Sequence, residues 1–168
     1  MSEIKRIFIV GDSGAGKGVL AEAVAKKLGW KFINADIFGC TAHLGRRLSE
    51  VVGEEGEQKM NDTLTQILEN QNNMENIVVT TDENVVCTER AREILKDNYT
   101  VFLTASTNIL VDRLSNYRPL LPVDDFGALL DNLKSERHNL FNEVASYSLS
   151  SDDGEVDVHV EAVINAMN

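Results

Sequence analysis

Residues 11 to 18 read GDSGAGKG and match the pattern GxxxxGK at Gly11, Gly16 and Lys17. Glycines let backbone N–H groups wrap closely around an anion, and a lysine at the start of a helix adds positive potential. This is the chemistry that a bound polyphosphate requires. The expected nucleotide contacts are Gly11, Asp12, Ser13, Gly14, Ala15, Gly16, Lys17, Gly18 and Val19. The motif normally ends in Ser or Thr, whose hydroxyl sits on magnesium, but Gly18 and Val19 carry no hydroxyl. Further along stand other groups able to act on a ligand: Asp36, the pair Asp82 and Glu83, and the arginines Arg113, Arg118 and Arg137.

These residues need elements to position them, and the apolar pattern supplies them. Ile7 to Val10 reads as a buried strand feeding the glycine loop, and Leu20, Val24 and Leu28 mark a helix after it, with Gly29 as its C-cap. WKFINAD is a second strand ending in Asp36, and IVVTT from Ile77 is a third. Leu44, Leu48, Val51 and Val52 have helical spacing that breaks near Gly53 to Gly56. A longer helix is expected from Glu57 to Asn70, burying Met60, Leu64, Ile67 and Leu68. Thr88 caps a helix to Lys96, TVFLTA from Thr100 is a fourth strand, and Asn108 to Leu114 is helical. A helix from Leu129 to Val144, with Leu129, Leu133, Leu140 and Val144 on one side, precedes a weak strand SYSLSS and a last helix from His159 to Met167. Strands alternating with helices imply right-handed crossovers and a central parallel sheet. In such sheets ligands bind beyond the carboxyl ends of the strands, where Lys17, Asp36, Asp82 and Glu83 all fall.

Composition bounds the rest. A chain of 168 residues with 43% hydrophobic content fits one domain with a substantial core. A net charge of -11 argues against a nucleic-acid partner. No apolar run reaches the roughly 20 residues of a membrane span, and no targeting leader is read at the N-terminus, so a cytoplasmic location is expected. Cys40 and Cys87 are expected to be reduced, buried thiols, and His43, His138 and His159 are unclustered. The acidic stretches Glu54 to Glu57 and Asp152 to Glu155 read as solvated loops, the second of which can border a bound base.

In order and spacing, GDSGAGKG, LGWKFINAD, EGEQK, NYRPLL and ERHNLFNEVA resemble the shikimate kinase family over nearly the whole chain. The string RPLL, Arg118 to Leu121, is the most specific. The resemblance implies an α/β three-layer sandwich of the P-loop mononucleotide-kinase type. It would have a central five-stranded parallel sheet, in one domain over 1–168, with a lid at about 115–126. It also implies an ATP-dependent kinase that moves the γ-phosphoryl group to a hydroxyl of a small substrate, with magnesium. Lys17 and Arg118 would stabilise the transferring phosphoryl group, and Asp36 would hold or deprotonate the acceptor hydroxyl. Arg137 would grip the substrate carboxylate, and Arg113 would lie near the adenine.

Other family positions have changed. The metal-side acid two residues before Asp36 is Asn34, a second carboxylate-binding arginine is Asn61, and a glycine-rich triplet after the third strand is Thr81, Asp82 and Glu83. Magnesium would then be held through waters or by Asp82. Two other readings share these residues: a catalytically degenerate nucleotide-binding or regulatory protein, and a gluconate or nucleotide kinase. Among plainer readings, Asp36 is a turn or cap residue, Arg137 is in a surface ion pair with Glu136 or Glu143, and Asp82 and Glu83 form an exposed acidic turn.

Overall fold

The run RIFIV is apolar on both faces after its first residue, and it forms the middle of the sheet. A computed structural model of the chain describes residues 3–12, 14–37, 48–110 and 123–167, with backbone alone at 48–51 and 123–126. The strands are β1 (Arg6–Val10), β2 (Lys31–Ala35), β3 (Ile77–Thr81), β4 (Tyr99–Thr104) and β5 (Tyr147–Ser150). All pair in parallel, in the order β2-β3-β1-β4-β5. The helices are α1 (Lys17–Leu28), α2 (Leu48–Gln71), α3 (Glu89–Lys96), α4 (Val123–Val144) and α5 (Val156–Asn165), and a 3-10 turn spans Val85–Cys87.

Alternation along the strands divides the core between two faces. Ile7 and Ile9 join Val101 and Leu103 beneath α1 and α5, where they meet Leu20, Val24 and Val163. Phe8 and Val10 join Val79 and Phe102 on the other face, against Leu68, Ile94, Phe141 and Val144. Each fully buried side chain of this size contributes about 1.5–3 kcal/mol relative to exposure. The expected three-layer arrangement and its five parallel strands are therefore present.

Local signals account for most element ends. Gly29 adopts the left-handed conformation (φ 71) that closes α1, and Thr88 Oγ1 accepts from Ala91 N at 3.3 Å to open α3. Gly53 interrupts α2 with φ 75 and ψ 169, as its position suggested. The helix resumes at once, so Glu54 to Glu57 lies on a helix and not in a loop; Glu54 and Glu55 are solvated there. Residues 107–110 are helical, and the rest of the helix expected to Leu114 lies outside the described residues.

Three expectations about burial need correction. On α2, Leu64 and Leu68 are buried while Met60 and Ile67 are half-buried at the margin. Helix α4 starts at Val123, and its buried stripe is Leu130, Leu133, Phe141 and Val144, while Leu129 and Leu140 sit half-buried at its margin. The spacing of that stripe leaves a gap at position 137, so an arginine occupies an inward-facing place. Cys87 is exposed and not buried, because it ends the 3-10 turn at the surface; Cys40 lies outside the described residues.

Candidate active site

The loop after β1 depends on left-handed backbone. Gly11 has φ 147, and a Cβ there would stand 2.4 Å from Leu103 O. Gly14 (φ 87) and Gly16 (φ 98) make the remaining turns, with Gly16 as the N-cap of α1. Lys17 is 3% exposed; its Nζ donates to Gly11 O at 2.9 Å and to Asp12 O at 3.0 Å. Thr81 Oγ1 donates to Ile9 O at 2.8 Å, which ties β3 to the strand that carries the loop. Asp12 is buried, and its Oδ1 has no hydrogen-bond partner. Desolvation pushes its carboxyl group above the ordinary value of 3.8, against the opposing pull of Lys17, Lys134, Arg137 and His138.

Asp36 follows the last residue of β2, and register places Ala35 beside Thr81, so the ends of β2 and β3 open onto the same space. Asp36 Oδ2 lies 3.9 Å from Lys17 Nζ. Its backbone N–H donates to Asn34 Oδ1 at 3.0 Å, so Asn34 shapes the turn beneath it. The structure thus brings together Lys17 and Asp36, which the sequence reading assigned to the two reacting partners. Ser13, Arg113, Arg118 and the lid before residue 123 lie outside the described residues.

Asp82 and Glu83 are not an exposed acidic turn. They are 1% and 3% exposed, and Asn84 is 3%. Asp82 Oδ1 accepts from both the backbone N–H and Nδ2 of Asn84 at 2.9 Å, folding the segment back on itself. Glu83 Oε2 lies 3.5 Å from Arg137 Nη1, and Arg137 Nη2 donates to Asn84 Oδ1 at 2.6 Å. Arg137 is consequently in a buried pair, and Glu143 pairs with Arg92 and Lys96 at 3.4 and 3.2 Å. The charge that made a turn look solvated is matched by an arginine from α4. On α2, Asn61 Oδ1 is buried without a hydrogen-bond partner.

Among the described residues no group of three or more His, Cys, Asp or Glu is placed to hold a metal ion. A Cβ added at Gly18 would meet nothing within 4 Å, so the space of the missing hydroxyl is open.

A cavity of about 310 Å³ lies on the other side of the loop, lined by Ala15, Gly16 and Val19 and by Gly154, Val156 and His159. Gly154 (φ 90) turns the segment after β5, and His159 Nε2 hydrogen-bonds Asp153 O at 2.7 Å to hold it. Asp152 to Glu155 is the solvated loop expected, and it does border this cavity. The role of His159 in fixing it was missed; the signal available was Gly154 five residues before it.

A family model described as shikimate kinase matches residues 13–168. A shikimate kinase of Legionella pneumophila is 33% identical over 160 residues, covering 89% of this chain and 87% of that protein. The chain belongs to the shikimate kinase family. The solved structure of the shikimate kinase from Acinetobacter baumannii in complex with shikimate superposes with a TM-score of 0.78 at 25% identity, over 96% of this chain and 92% of that one. A deoxyadenosine kinase from M. mycoides with bound dATP shares the fold, at a TM-score of 0.65 and 17% identity over 97% and 99% of the two chains. This member of the shikimate kinase family is an ATP-dependent phosphotransferase of the P-loop kinase fold.

Proposed function

We propose that the chain transfers the γ-phosphoryl group of ATP to a hydroxyl of a small acceptor that rests against Asp36. The observation that carries this reading is the 3.9 Å approach of Lys17 Nζ to Asp36 Oδ2 at the open end of the sheet. It sets a cation for the phosphates beside a carboxylate for the acceptor. The adenine occupies the cavity bounded by Val19 and Val156, with Arg113 close to it. Lys17 leaves its two carbonyl partners for the phosphate oxygens and, with Arg118 from the lid at about 115–126, stabilises negative charge as the phosphoryl group moves. Asp36 takes the hydroxyl proton as the acceptor oxygen bonds to phosphorus and ADP departs.

The residues fit a magnesium ion that keeps most of its waters. The space beside Gly18 admits water, and Asp82, tied through one oxygen to Asn84, would hold the ion through water. Bound with the nucleotide, magnesium would neutralise phosphate charge. No helix among the described residues is long and apolar enough to cross a membrane. The reading places a single-domain enzyme in the cytoplasm, acting on a small molecule and without nucleic acid.

The test is ADP release from ATP and magnesium with shikimate, hydroxy acids, sugars and nucleoside monophosphates, with Arg118→Ala as the control. Acceptor-dependent release that falls in the variant is expected. Nucleotide binding without release on any acceptor would instead favour a noncatalytic nucleotide-binding protein.

A further inference from the structure

The segment after β5 forms one wall of the cavity beside the glycine loop, and it is held from two sides. On one side Ser151 donates to Thr104 O, at the end of β4, through its N–H at 2.8 Å and its hydroxyl at 3.1 Å. Asp152 Oδ1 also accepts from Ser106 N at 2.9 Å. On the other side the turn at Asp153 and Gly154 rests on His159, a buried residue of α5. Gly154 has φ 90, and a Cβ there would stand 3.3 Å from His159 Nε2, so the imidazole packs directly against the turn.

The 2.7 Å bond between His159 Nε2 and Asp153 O does not serve the helix. A helix N-terminus lacks partners for its N–H groups and is capped by acceptors. Here the partner is a carbonyl oxygen, which can only accept, so the ring donates through Nε2–H. Asp153 also precedes Glu155, the N-cap of α5, and lies outside the helix. What the bond fixes is the cavity wall. The cavity itself suits a flat apolar ring: Val19 and Val156, which line it from α1 and α5, are 60% and 37% exposed, and a base between them would take that surface out of water.

We propose that His159 is a positioning residue for the nucleotide base: through Asp153 O it holds the wall of the base cavity, and so sets affinity for the base-bearing part of ATP without touching the phosphate contacts. The inference rests on the reading that adenine occupies this cavity. Both are tested by calorimetric binding of ATP and of inorganic tripolyphosphate, which lacks the base, each with magnesium. The proteins compared are the unaltered chain, His159→Phe, His159→Gln and Val156→Trp. Phenylalanine keeps a ring in the wall but loses the donor, glutamine carries an N–H at the same remove from the backbone, and tryptophan fills the cavity.

The unaltered chain should bind ATP more tightly than tripolyphosphate. His159→Phe should weaken ATP about fivefold or more, the scale of one lost hydrogen bond, and leave tripolyphosphate within about twofold. His159→Gln should keep ATP within about twofold of the unaltered chain. In ADP release His159→Phe should raise KM for ATP and hold kcat. ATP and tripolyphosphate weakened alike by His159→Phe would overturn the proposal. ATP affinity unmoved by His159→Phe but lowered by Val156→Trp sinks this inference and leaves the base reading standing. ATP bound no more tightly than tripolyphosphate, with Val156→Trp without effect, removes both. Should His159→Phe not fold, nitrogen-15 NMR of the unaltered chain decides: an Nε2–H tautomer at His159 whose signal moves with ATP and not with tripolyphosphate is expected, and an Nδ1–H tautomer or a signal indifferent to ATP overturns the proposal.

Discussion

Glu83 and Arg137 face each other at 3.5 Å, one from the segment after β3 and the other from the middle of α4, and both are nearly sealed from water. The pair joins the segment after β3 to α4, so each member is a structural residue as well as a source of buried charge.

Removing the arginine alone should therefore be costly. Arg137→Met is expected to lower stability by about 3–5 kcal/mol, because the buried ion pair with Glu83 is lost. Glu83→Gln combined with Arg137→Met should recover much of that loss. Urea unfolding of the two single variants and the double variant measures the coupling; strictly additive losses would show that the two charges do not interact.

Gly11 and Gly18 lie in one loop but should respond oppositely to a side chain. Gly11→Ala forces a Cβ to 2.4 Å from Leu103 O at φ 147, and a loss of roughly 2 kcal/mol or more is expected in thermal or urea unfolding. Gly18→Ser meets open space and should change stability by no more than about 0.5 kcal/mol. It also returns the missing hydroxyl, so ATP affinity in Gly18→Ser should gain more from added magnesium than it does in the unaltered chain. Titrations of ATP with and without the ion measure this.

Burial holds the Asp12 carboxyl group above 3.8, so the folded chain binds that proton more tightly than the unfolded chain does. The sign follows: this group favours folding when protonated, and that contribution is lost as pH rises from about 3.8 through the raised value. Asp12→Asn should consequently raise Tm near pH 7, with a gain that shrinks towards pH 4. Melting curves across that range decide it; a gain that grows on acidification would contradict the assignment.

Much of the scaffold was legible because its signals are local. The glycine loop, the strand IVVTT and the cap at Thr88 each declare themselves within a few residues, and the structure places all three as read. Asp82 and Glu83 could not be read that way. Two adjacent acids look solvated until Arg137 is known to arrive 53 positions beyond Asn84, on an inward face that the leucine pattern alone did not reveal. The error in the α4 stripe has the same origin: a buried arginine interrupts the apolar period, and counting only leucines shifts the face. The cavity beside Val19 is likewise a meeting of distant segments, since its walls come from residues 15–20, from Leu103 and from residues 151–159.

The most direct test of the proposed phosphoryl transfer from ATP to an acceptor held at Lys17 and Asp36 is to follow the γ-phosphoryl label of ATP into the acceptor that turns over best, comparing the unaltered chain with Lys17→Met and Asp36→Asn. Labelled acceptor in the unaltered chain is expected, with kcat reduced about a hundredfold or more in each variant. In Asp36→Asn the affinity for ATP should be largely kept. Transfer that continues undiminished in Asp36→Asn, or label that reaches only water in the unaltered chain, would contradict the account.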